Sequence, residues 1–79
     1  MPFTPDLVAE LNLLALFNLH SIQEGIKVHQ HSATPDAVAA AERLHRKGLT
    51  TQIDGGYLTQ LGIEAAEHAQ RVLGILRSE

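Results

Sequence analysis

Cysteine is absent from the 79-residue chain, which excludes a disulfide framework, thiolate chemistry and a thiolate metal site. Long apolar runs are missing as well. A run such as Leu13 to Phe17 is far too short to cross a bilayer. The opening MPFTPDL has no basic stretch leading into an apolar one, so no secretory signal is expected. A soluble cytoplasmic protein without membrane partners is the expectation.

Positive charge is scarce: six basic residues stand against nine acidic ones, for a net charge of −3. Nucleic-acid binders draw much of their affinity from lysine and arginine neutralising phosphates. Any DNA-binding face would therefore need those six residues gathered on one side.

Motifs of catalysis and metal binding are also missing. None of the five histidines has a partner at the His-x-x-x-His spacing that shares a helix face, and His29 and His31 lie only two apart. Neither a metal nor a cofactor is expected. Asp54-Gly55-Gly56 lacks the strand, helix and lysine context of a phosphate loop and reads as a turn. A chain this short has little room for a concave, partly dry pocket. An enzyme is not expected.

What is present is the grammar of one small, mostly α domain over residues 1–79, with a hydrophobic fraction of 44%. Thr4 can cap a first helix over about 4–18, with Pro5 at its first position and Asp6 at the positive end of its dipole. Leu7, Leu11 and Leu14 form one face of it; Leu13, Leu16 and Phe17 fall roughly opposite. A helix apolar on both sides has to be covered on both sides, which one short domain rarely does.

Ser21-Ile22-Gln23-Glu24 matches a capping box and predicts a helix over about 22–30, with a short strand at Ile26 to His29 as the alternative. His31-Ser32-Ala33 then reads as a turn. Thr34-Pro35-Asp36 opens a helix over about 35–47, with a narrow stripe of Ala37, Ala41 and Leu44. Arg46, Lys47 and Gly48 supply its stop. Leu49-Thr50-Thr51-Gln52-Ile53, Asp54-Gly55-Gly56 and Tyr57-Leu58 predict a hairpin with strands over about 50–53 and 57–58. Thr59 can cap a last helix over about 60–77. Its stripe is Leu61, Ala65, Ala69, Val72 and Leu76, with Ile63 and Ile75 off the stripe and Glu64, Glu67 and Arg71 on the solvated side.

The stretch Ala41-Glu42-Arg43-Leu44-His45-Arg46-Lys47-Gly48-Leu49, followed by Gly55-Gly56-Tyr57-Leu58-Thr59 and Gly62, resembles the winged helix-turn-helix domains of small bacterial transcription regulators. In those domains a helix ends in a leucine, basic residues, glycine and leucine, a wing follows, and Tyr-Leu-Thr-x-x-Gly opens the closing helix. The whole chain is also similar to a small bacterial family of uncharacterised proteins of about 80 residues.

The first resemblance implies a DNA-binding regulator of unknown target, with Arg43, Arg46 and Lys47 as the residues eligible to contact phosphates or bases of double-stranded DNA. They lie at the C-terminal half of their helix, whereas Asp36 and Ala39 stand at the end that usually enters the groove, and the wing offers no cation. The alternative is a module of the same fold that serves protein interaction or assembly without DNA. In either case the surplus apolar surface of the first and last helices predicts a homodimer paired through them across a two-fold axis.

Overall fold

A computed structural model describes residues 2–21, 23–28 and 33–78. In chain order they form α1 (Pro5–Leu14), β1 (Ile26–Lys27), α2 (Pro35–Arg46), β2 (Thr50–Gln52), β3 (Gly55–Leu58) and α3 (Gln60–Arg77). The three strands make one antiparallel sheet in the order β1-β3-β2. The architecture is mostly helical α+β. No helix among the described residues is long and apolar enough to cross a membrane.

All three helices begin where the sequence places their caps. Thr4, Thr34 and Thr59 are extended, and their hydroxyls accept from the amides of Leu7 (3.2 Å), Ala37 (3.2 Å) and Gly62 (3.1 Å). The end of α2 is equally local in origin. The Leu49 amide donates to the Leu44 carbonyl and the Gly48 amide to that of His45, each at 3.0 Å, with Gly48 at φ +80°. This is a Schellman stop, and it turns Leu49 back against the core.

Three expectations are corrected. First, α1 stops at Leu14 rather than near Asn18. The Leu16 amide tightens onto the Leu13 carbonyl, and the Asn18 side chain accepts from the His20 amide at 2.9 Å, a local turn that competes with helix. Gln70 of α3 then donates to the carbonyls of Leu14 (3.1 Å) and Phe17 (2.8 Å).

Second, the helix expected over 22–30 does not form where that stretch is described, and the alternative of a short strand holds at Ile26 and Lys27, which pair with Gly56 and Gly55. The capping box fails because the Glu24 carboxylate accepts from the Asn18 side-chain amide instead (2.9 Å). Gly25 explains the choice of strand, since a Cβ there would overlap the Gly56 carbonyl. The close approach of β1 to β3 needs glycine at that point. Residues 22 and 29–32 lie outside the described residues, and with them the His29/His31 pair and most of the turn expected at His31-Ser32-Ala33.

Third, the hairpin turns one step earlier than expected. Gly55 (φ +119°) and Gly56 (φ +73°) already belong to β3, and the register between Thr50/Leu58 and Gln52/Gly55 is irregular. Leu58 faces the core and Tyr57 faces solvent, one side each as strand alternation requires.

The core is Leu13 and Leu14 of α1, Val28, Ala40, Ala41 and Leu44 of α2, and Ala66 of α3. Three alanines at the helix contacts let the backbones sit close. Gly62 serves the same end, because a Cβ there would overlap the Leu49 carbonyl. Thr59 fastens this corner by donating its hydroxyl to the Gly48 carbonyl while its amide reaches Leu49 O at 3.0 Å.

Candidate functional site

The cations proposed for DNA contact do not form one free patch. Arg43 lies on the side of α2 that meets α1 rather than on the outer face. Its Nε donates to Glu10 Oε2 at 2.9 Å, its Nη2 to the Asp6 carbonyl oxygen at 3.1 Å, and the Asp6 carboxylate stands 4.0 Å away. Lys47 also reaches Glu10, donating Nζ to Oε1. Arg46 is exposed, and it has no ion-pair partner among the described residues. Arg46 thus projects into solvent, while Arg43 and Lys47 are held by an acid of their own chain.

Glu10 is the organising group of this corner. It is only 5% exposed, on the α1 face that also carries Leu13, Leu14 and Phe17. Burial pushes its carboxyl upward. The hydrogen bonds and charges of Lys47 and Arg43 outweigh that, and the net shift is below the ordinary glutamate value. Sequence reasoning missed this residue. The signal was available: an acid three, four and seven positions before apolar residues shares their helix face and requires a cation across from it.

Across the hairpin, Lys27 stands 3.6 Å from Asp54, so the cation of β1 also faces an acid. At the start of α2, Asp36 is exposed and Ala39 half-buried. A phosphate backbone approaching this side would meet carboxylates beside most of the cations.

A different surface is better formed. Helices α1 and α3 lie side by side, and between them runs an apolar groove of about 440 Å³. Val8, Leu11 and Ala15 form one wall and Ala69, Val72 and Leu76 the other, with Asn12 and His68 its polar side chains among the described residues. The stripe expected to bury α3 packs against the core only at Ala65 and Ala69; its larger side chains face outward. Leu61 is 53% exposed, Val72 55% and Leu76 76%, while the buried residues of α3 are Gly62 and Ala66. The reason is close packing: glycine and alanine bring α3 near α1 and the hairpin corner, and the larger side chains rotate outward. Phe3, Val8 and Leu16 continue the exposed apolar surface around α1. Scattered apolar residues are ordinary on a protein surface; exposed ones on two adjacent helices that share a groove are a candidate interaction face.

Comparison with curated proteins and with solved structures gives no match. A family model does match, over residues 1–77, in agreement with the similarity of the whole chain to a small uncharacterised family. Capped helices, a glycine-dependent sheet, a cation pair held on a buried glutamate and an open apolar face are therefore features of a member of the family of unknown function DUF5669, to which this chain belongs.

Proposed function

We propose that the chain is a winged-helix-like assembly module that works as a homodimer rather than as an enzyme. The observation that carries the reading is the outward apolar face of α3, continuous with the α1–α3 groove. In water such a face favours association by removing apolar surface from solvent. A second copy of the same chain is the simplest occupant, since a two-fold axis covers both faces at once. The winged-helix part of the reading draws support from element order: α2 with its glycine stop, the β2–β3 hairpin and the closing helix α3.

The DNA-binding alternative has less support. A helix-turn-helix needs a helix packed just ahead of the recognition helix, and part of that segment is strand β1. Arg43 and Lys47 would have to abandon Glu10 to reach phosphates, leaving a buried carboxylate without its partners.

Two measurements separate these readings. Light scattering over a rising concentration series is expected to give twice the chain mass of 8.6 kDa. A monomer at the highest concentration would refute assembly through like copies. Titration with mixed-sequence duplex at about 50 mM salt is expected to give no binding, because the phosphate contribution is strongest at low salt. Salt-sensitive binding there would move the function to DNA.

A further inference from the structure

The outward face of α3 has an internal order that the apolar count alone does not reveal. Leu61, Ala65, His68, Val72 and Ile75 follow one another at alternating steps of four and three residues, the spacing of a coiled-coil seam. Ala65 packs partly against the chain's own core, while Leu61, His68, Val72 and Ile75 are exposed and leave the seam largely open. Glu64 and Arg71 flank it on the same side, seven residues apart and both exposed. Among the described residues neither has an ion-pair partner in its own chain.

The order of charges selects the direction of pairing. When two copies of one helix cross antiparallel about a two-fold axis, residues equally far before and after the axis face each other. With the axis at His68, Leu61 lies seven residues before it and Ile75 seven after; Ala65 lies three before and Val72 four after. Glu64 lies four before and Arg71 three after. Apolar meets apolar along the seam, and each Glu64 meets the other copy's Arg71 twice over by symmetry. Parallel pairing would set like positions side by side and leave Glu64 far from any arginine.

Resting on the assembly reading above, we infer that the occupant of this face is α3 of a second copy, packed antiparallel with His68 at the two-fold axis and two Glu64–Arg71 ion pairs across it. The polar histidine in an otherwise apolar seam fixes the register, as single polar seam positions do in coiled coils.

The absence of native cysteine makes the test clean. The full chain carrying His68→Cys is expected to form a disulfide-linked dimer under mild oxidation. Leu61→Cys is expected to stay uncrosslinked, because two such positions lie about 21 Å apart along an antiparallel pair. Glu64→Arg or Arg71→Glu alone should raise the dimer Kd about tenfold by setting like charges opposite each other, and the double variant should restore it. Circular dichroism on each variant checks that the helices are intact. Efficient crosslinking of Leu61→Cys, or a double variant as weak as its parents, would overturn the antiparallel seam while leaving a wild-type dimer, and with it the assembly reading, in place. A monomeric wild type would remove both.

Discussion

Glu10 Oε2 accepts from Arg43 Nε at 2.9 Å, joining a buried carboxylate of α1 to the helix expected to carry the DNA-reading surface. The pair gives a residue eligible for nucleic-acid contact a partner within its own chain. Arg43 and Lys47 fasten α2 to α1, and the acid that holds them has little water to fall back on.

Replacing Glu10 by glutamine keeps the shape and removes the charge. The expected loss is about 1–2 kcal/mol of stability, below the range for fully buried pairs because Lys47 remains half in solvent. The wild type should respond to pH in a matching way. The folded carboxyl titrates below the ordinary glutamate value, so its contribution is complete above about pH 4–5 and fades as pH falls through the folded value. Denaturant midpoints measured from pH 7 to pH 3 check this. A glutamine variant that loses as much stability on acidification as the wild type would assign the acid response to other carboxylates.

Two glycines of α3 should respond to alanine with opposite signs. Gly62 faces the Leu49 carbonyl so closely that a Cβ cannot be placed, and Gly62→Ala is expected to cost about 2–4 kcal/mol through backbone displacement. Gly74 has open space around its Cβ position and an ordinary helical backbone, so Gly74→Ala is expected to stabilise by about 0.5–1 kcal/mol. Thermal unfolding of both variants at one fixed protein concentration reads the contrast. Equal shifts would mean that α3 does not approach the hairpin corner as described.

Gly48 isolates backbone strain from packing. Nothing lies within 4 Å of a Cβ added there, yet its φ is +80°. Gly48→Val should therefore destabilise by about 1–2 kcal/mol through strain alone. An unchanged unfolding midpoint would relocate the end of α2.

Helix starts and the α2 stop were legible in the sequence because their causes are local. A threonine cap needs an amide three residues on, and a Schellman stop needs a glycine at the one left-handed position. The region after α1 was misread because its causes are distant. Ser21 and Glu24 carry a valid local cap, but Gly25 lies under the Gly56 carbonyl and Glu24 is taken by Asn18, partners that local pattern does not identify.

The same division holds for function. By itself the sequence determined a cysteine-free, net-acidic, three-times-capped chain with more apolar helix surface than one small domain can hide. Tertiary structure alone decided where that surplus lies. Glycine and alanine at Gly62 and Ala66 allow α3 to pack at short range, which turns Leu61, Val72 and Leu76 outward. It also decided that Glu10 claims Arg43 and Lys47, because opposite charges brought together across two helices and shielded from water satisfy each other before they meet any ligand.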